Sequence, residues 1–359
     1  MQTGLKQILI LSLLLLGLPL LGVVLNDMPI TPYLEFPPRT RHVQHAAFSW
    51  PIFMLTTVVG ALLLAGIIGL LMHARESRRL SQIKTSHHWP WWGWLGLLVL
   101  AVSWILAWNR FPWFAPWQWA TFTPLWLGYI VIINAWTYRR EGKCLLINQC
   151  RYFLLLFPFS SLFWWYFEYL NRFVQNWFYI GVDDFSPLRY TLNASISFAT
   201  VLPAVLSTQQ WLASVLRISA RPMTLTVERK TLKRLSWLTL LVSSTALALL
   251  GIWPNLLFPF IWFVPLLVLL GLQGLSGEPD LIKEIRARGW QVIALPALAA
   301  LQCGFFWEMW NYYSAAKWIY SVPLVDNFQI FEMPVVGFTG YLPFGIECLV
   351  IALLLWRRY

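Results

Sequence analysis

Charge is scarce in this sequence: only 11% of its 359 residues are Asp, Glu, Lys or Arg, and the acids number 15. Soluble domains carry about a quarter charged residues, so a chain this poor in charge cannot cover a water-facing surface. Cysteine and histidine are few as well, at four and five. Only Cys144 and Cys150 lie near one another, which excludes a disulfide framework and a zinc ribbon. Their place on the expected cytoplasmic side argues against a quinone-linked disulfide oxidase. No His-x-x-His-His box is present, so a diiron lipid desaturase or hydroxylase is excluded. Neither Gly-x-x-x-x-Gly-Lys nor His-Glu-x-x-His occurs, which removes ATP-driven transport and zincin proteolysis. Asp183-Asp184 is not an aspartate-rich Mg²⁺ motif, because Pro187 stands where the next acid would be. No cofactor is implied.

Apolar surface is abundant. Hydrophobic residues make up 58% of the chain, Trp alone numbers 24, and the mean hydropathy is +0.61. A helix needs about 20 apolar residues to cross the hydrocarbon layer, and about ten such stretches are found. They lie near 7–25, 50–72, 91–108, 118–138, 152–171, 191–213, 236–253, 256–273, 290–311 and 335–356. The expected fold is therefore an all-α polytopic membrane bundle, a single transmembrane domain over 1–359 with short loops. The first segment has Lys6 ahead of its apolar run and no small-residue cleavage site, so it reads as a retained helix.

The net charge of +11 would mark a nucleic-acid partner in a soluble chain, but here it divides between two faces. Lys6, Arg75, Arg78, Arg79 and Lys84 fall on one side with the clusters at 139–151, 217–234 and 283–288 and with Arg357 and Arg358. That side carries 20 of the 26 basic residues and 6 of the 15 acids. By the positive-inside rule it is the cytoplasm, and both termini lie there. The other side holds Arg39, Arg41, Arg110, Arg172, Arg189 and Lys317 with nine acids outside or within spans. No nucleic acid is expected. The partners implied are the lipid bilayer, with anionic headgroups against the basic 217–234 loop, and a lipophilic small molecule; oligomeric state is left open. The expected location is a bacterial inner membrane.

One hairpin recurs. The fifth span ends with Glu168 and Asn171, followed by Trp177-Phe-Tyr179, Asp183-Asp184-Phe185 and Leu202-Pro203. The ninth ends with Glu308 and Asn311, followed by Trp318-Ile-Tyr320, Asp326-Asn327-Phe328 and Leu342-Pro343. Spans 5–6 (152–213) and 9–10 (290–356) thus form a candidate internal repeat, as in parallel-repeat membrane folds. Residues three apart share a helix face, so each copy presents a carboxylate beside an amide. Arg172, one turn beyond Glu168, accounts for that acid; Glu308 has no such neighbour and carries more functional weight.

Glu347, ten residues before Arg357 and so about 15 Å of helix away, is the deepest acid. It must face the interior, find a partner or stay protonated. Ahead of it, three Gly and two Pro between Phe331 and Glu347 predict irregular backbone, which at membrane depth is tolerated where it lines a cavity. His42 and His45 could bind a metal or shuttle a proton if their stretch is helical, although loop hydrogen bonding is the plainer reading. Asn193, Ser197, Thr200 and Ser207 or Thr208 make one face of the sixth span polar, an interior packing face.

Carboxyls set among Trp, Tyr and Phe suit protonation of an alkene, with aromatic faces steadying the cation that follows. The chain resembles integral membrane carotenoid enzymes of the lycopene cyclase and carotenoid hydratase type over about 50 residues. The likeness is carried by Trp318-Ile-Tyr-Ser-Val-Pro323, Asp326-Asn-Phe328, Phe331-Glu332-Met-Pro334 and Gly337-Phe-Thr-Gly340-Tyr341; the small cyclases' Pro-x-Glu-Glu is not reproduced, since Met333 follows Glu332. The resemblance implies Glu332 and Glu347 as the acid and its partner. The alternatives are a proton- or cation-coupled transporter or channel using the same acids, a glycosyl- or phospho-transferase with Asp27 or Glu35 as base, and a structural or assembly subunit. The candidate site residues are Glu347, Glu332, Glu308, Asn311, Glu168 and Asn171.

Overall fold

The computed structural model describes residues 9–38, 40–76, 87–218 and 220–356. Lys6, Arg39, Arg78, Arg79, Lys84, Arg357 and Arg358 lie outside the described residues, as do the first two positions of the expected first span. The described chain is overwhelmingly helical, with only two two-stranded pieces of sheet.

In chain order the helices are α1 (Leu18–Leu25, continuing a π-helical turn at Leu13–Gly17), α2 (Trp50–Glu76), α3 (Trp91–Trp108), α4 (Phe122–Glu141) and α5 (Cys150–Val174). After β1 (Trp177–Ile180) come α6 (Pro187–Phe198), α7 (Val201–Val215), α8 (Arg229–Leu250), α9 (Val264–Ser276), α10 (Asp280–Arg288) and α11 (Gln291–Tyr312). Three short strands follow, β2 (Lys317–Tyr320), β3 (Gln329–Ile330) and β4 (Met333–Pro334), and the chain closes with α12 (Tyr341–Trp356).

Among the described residues six helices are long and apolar enough to cross a membrane: Trp50–Ala74, Trp91–Trp108, Cys150–Val174, Pro187–Val215, Gln291–Tyr312 and Val335–Leu355. The segments Pro254–Trp262 and Val264–Ser276 pass the same test together, bent by 60°. By length and composition this is a multi-pass membrane protein. Large side chains on the outward surfaces agree: Leu62, Leu98, Leu162 and Leu241 are exposed, as lipid-facing residues are.

Proline accounts for most departures from the expected spans. The stretch 118–138 was expected to be one helix, but Pro112 and Pro116 hold Pro112–Ala120 in a 3₁₀ segment and α4 starts at Phe122. Pro259 and Pro265 break the expected 256–273 span at Phe263, since a proline ring removes a helical donor and clashes one turn back. The 191–213 span divides into α6 and α7, where Ser160 Oγ donates to Phe198 O (2.6 Å) and accepts from Leu202 N (3.0 Å). A side chain of α5 thus bridges the backbone gap that Pro203 helps to open. The 236–253 span starts a full two turns earlier, with α8 running into the basic segment at Arg229. Pro334, Gly337 and Gly340 do produce irregular backbone: a β3–β4 hairpin and a 3₁₀ segment over Val335–Gly340 lead into α12.

Small residues let helices approach. A Cβ at Gly345 of α12 would lie 2.0 Å from Pro296 O of α11, and one at Gly128 of α4 would lie 2.7 Å from Leu100 N of α3. Polar glue joins the same layers. Asn134 Nδ2 donates to Ser207 Oγ at 2.8 Å, and the Tyr129 hydroxyl lies 2.9 Å from Thr208 Oγ1. The lower part of the polar stripe on α7 therefore packs against α4, as expected. Trp126, Trp310, Phe167 and Phe344 are the largest fully buried side chains and centre the core between α4, α5, α11 and α12.

Candidate functional site

The two Trp-x-Tyr segments pair with each other. β1 and β2 are antiparallel, with Trp177 opposite Tyr320 and Tyr179 opposite Trp318. Each Trp therefore faces the other copy's Tyr, an approximate two-fold arrangement. Both strands are set by the asparagines. Asn171 Nδ2 donates to Trp177 O (2.7 Å) and its Oδ1 accepts from Asn176 N (2.8 Å). Asn311 Nδ2 donates to Trp318 O (2.7 Å) and its Oδ1 accepts from Trp318 N (3.0 Å). Asn171 and Asn311, expected to stand beside the chemistry, are instead turn-holding groups whose amides are satisfied by backbone.

The paired strands bring Glu168 and Glu308 under one roof. Both are fully buried. Glu168 Oε1 accepts from Tyr179 Oη (2.6 Å), Trp177 Nε1 (3.1 Å) and Trp164 Nε1 (3.1 Å). Glu308 Oε1 accepts from Tyr320 Oη (2.8 Å) and Tyr341 Oη (3.0 Å), while Trp318 Nε1 donates to the Tyr320 hydroxyl (3.1 Å). In both residues Oε2 has no hydrogen-bond partner. Arg172 makes no hydrogen bond to Glu168, whose donors are aromatic; its guanidinium donates to Tyr33 O and reaches the carboxyl through its charge.

A cavity of about 130 Å³ is walled by side chains that hold the two acids, Trp164, Trp177, Tyr179, Tyr320 and Tyr341, while neither carboxyl itself lines it. Phe122, Trp262, Trp307 and Trp318 extend the aromatic lining, and Asn193 and Ser197 of α6 supply polar edges. The upper part of the polar stripe, expected to be a packing face, thus lines a cavity instead. At the rim, Arg189 stacks over Phe185 (4.1 Å) and Trp119 (4.7 Å), and Lys317 forms an ion pair with Glu332. An engineered apolar cavity of roughly this size takes up benzene, so the chamber suits one ring-sized end of a larger guest. Aromatic faces on several sides favour a cation there.

The other expected residues lie elsewhere. Glu332 sits partly buried at the β3–β4 turn against Lys317. Glu347 is buried in α12 with neither carboxyl oxygen hydrogen-bonded, so it does not form the pair with Glu332 that the resemblance implies. Six residues, or about one and two-thirds turns, separate it from Tyr341 and turn it away from the lining, and Tyr166 of α5 is a phenol within electrostatic range. Asp27 and Glu35 are exposed and do not line the chamber.

His42 and His45 stand in irregular backbone rather than on a helix. The His45 ring bridges Asn255 Oδ1 and Gln175 O, both at 3.1 Å, and His42 packs edge-on to Phe178. Metal ligation would need those ring nitrogens free, and no cluster of three or more His, Cys, Asp or Glu suited to a metal occurs among the described residues. The duplication also has a limit. Phe185 lines the chamber, but its counterpart Phe328 packs outside it against Phe48, Trp50 and Phe53.

Sequence reasoning missed Trp164, Tyr341, Trp262 and Trp307. Trp164 was findable, being one turn before Glu168 on the same face. Tyr341 closes the quoted Gly-Phe-Thr-Gly segment. Nothing local marks Trp262, which reaches the chamber only because the chain bends after it. No protein-family model, curated protein or solved structure matches this chain.

Proposed function

We propose that this protein crosses a bacterial inner membrane ten times with both termini in the cytoplasm, and that its paired-acid chamber protonates a double bond in a lipophilic isoprenoid, leading to cyclisation, hydration or isomerisation. Helices α4 and α8, of 20 and 22 residues, are about 30 Å long and can complete the count beside the six apolar spans, the bent pair and the first helix. The 152–213 and 290–356 hairpins are then diverged copies, a reading supported by the matched contacts of Asn171 with Asn311 and of Glu168 with Glu308.

One observation carries the chemistry: two buried carboxyls, each held through one oxygen by phenols that wall an aromatic cavity. With Glu308 protonated and donating to the phenol, the phenol passes its own proton to the guest alkene as it takes the one from the carboxyl. The carboxylate left behind recovers, through the same phenol, the proton that the cation or the water adding to it releases. The cation formed sits among indole and phenyl faces, and loss of a proton or capture of water ends the reaction. The resemblance to lycopene cyclases and carotenoid hydratases agrees in substrate class, with Glu308 and Glu168 in place of Glu332 and Glu347. Lipid extraction and mass spectrometry of an expressing host tests it. A new or consumed isoprenoid that reverts with Glu308→Gln at unchanged protein level is expected; an unaltered lipid profile overturns it.

A second reading, a proton-coupled transporter, draws on Glu347, a buried acid outside the chamber that the enzyme does not need. Intramembrane carboxyls without partners are typical of ion pathways. Proton uptake into liposomes that stops with Glu347→Gln would select it.

A further inference from the structure

A second cavity, of about 330 Å³, lies on the opposite face of the molecule from the chamber in the proposed topology, between the start of α8 and the α9–α10 connection. Arg229 and Lys233 line it from one helix face, being four residues apart. Arg286 lines it from α10, and Gly277 and Glu278 from the connection. Glu278 is neutralised by Arg286, whose Nη1 lies 2.7 Å from its Oε1. Arg286 is further fixed through Nε to Leu225 O (2.5 Å). That leaves Arg229 and Lys233, both exposed and without an ion-pair or hydrogen-bond partner among the described residues, as the groups that set the charge of the cavity. Above Gly277 the space is open: a Cβ there would meet nothing within 4 Å.

The surroundings identify what carries the anion. One turn beyond Lys233, the outward face of α8 turns apolar, with Trp237, Leu238 and Leu241 more than half exposed. Trp at such a boundary marks the headgroup level. The cations therefore stand just above a surface made for acyl chains.

We propose that this cavity is a binding site for the phosphate of an anionic phospholipid, with Arg229 and Lys233 on the phosphate and the acyl chains along Leu238 and Leu241. It is independent of the chemistry assigned to the chamber. Basic pockets between membrane helices on the cytoplasmic side bind phosphorylated headgroups by this means.

Native mass spectrometry of the full-length protein, released from detergent with short-chain phosphatidylglycerol, phosphatidylcholine or inorganic phosphate, tests it. Phosphatidylglycerol is expected to be retained roughly tenfold better than phosphatidylcholine, and Arg229→Gln with Lys233→Gln should remove that preference. Lys143→Gln with Arg151→Gln, an exposed basic pair elsewhere on the same face, should leave it intact. Equal retention of the two lipids, a preference that survives the Arg229/Lys233 double substitution, or equal loss in the control pair overturns the site. Inorganic phosphate held as well as phosphatidylglycerol overturns the lipid assignment by making the occupant a free anion.

Discussion

Glu168 and Glu308 occupy the same position in two copies of one motif, yet their neighbours differ in kind. Glu168 is held by two indoles and one phenol, Glu308 by two phenols, with the third indole set behind Tyr320. An indole N–H donates but does not take a proton back, whereas a phenol does both. On the proposed reading, the Glu308 half, with two phenols, carries the proton, and the Glu168 half, with one phenol and two indoles, chiefly holds a carboxylate. A repeat that keeps its scaffold can assign its two acids different work.

The largest test is of that division. Glu308→Gln is expected to lower product formation by a hundredfold or more, the usual loss for an acid catalyst, and Glu168→Gln by about tenfold, as for a charge that only steadies the cation. Equal losses, measured by lipid extraction and mass spectrometry, would break the comparison. Next, Gly345→Ala drives a methyl group into Pro296 O, where both atoms belong to packed helices. It should cost about 1–3 kcal/mol, seen as a lower melting temperature in detergent and greater than that of Gly69→Ala, which meets nothing.

Asn171→Ala and Asn311→Ala each strip a buried backbone donor and acceptor, a loss of about 1–3 kcal/mol. Near-equal melting shifts would sustain the equivalence of the scaffolds; a silent Asn311→Ala would end it. The smallest effects sharpen the contrast between donors. Tyr341→Phe should slow turnover by about tenfold, because it removes a relay, and Trp164→Phe by about threefold, because it removes only one of three donors. Reversed order would reassign the two halves.

Much of this was legible in the chain. The Glu-x-x-Asn and Trp-x-Tyr matches stood out because they combine rare acids with a fixed local spacing; in the structure the two Trp and two Tyr line one chamber, the acids sit behind its lining and the asparagines hold the strands. Helices occur at each expected span because long apolar runs have few other options in a bilayer. What could not be seen depends on contacts across distance. The β1–β2 register joins residues about 140 apart, and no local pattern announces it. Arg172 looked like the partner of Glu168 because it sits at helical spacing, but its guanidinium swings out to the Tyr33 carbonyl. Glu347 drew attention by depth, although depth alone does not say which side of a helix faces a cavity.

The strand clasp has a mechanical consequence. Four residues of β1 knitted to four of β2 tie the C-terminal ends of α5 and α11 together as a hinge pin ties two leaves. Separating those helices at this end would tear a ladder of backbone bonds. On the proposed reading a guest enters beside the pin, where the Arg189 guanidinium lies over the rings of Phe185 and Trp119.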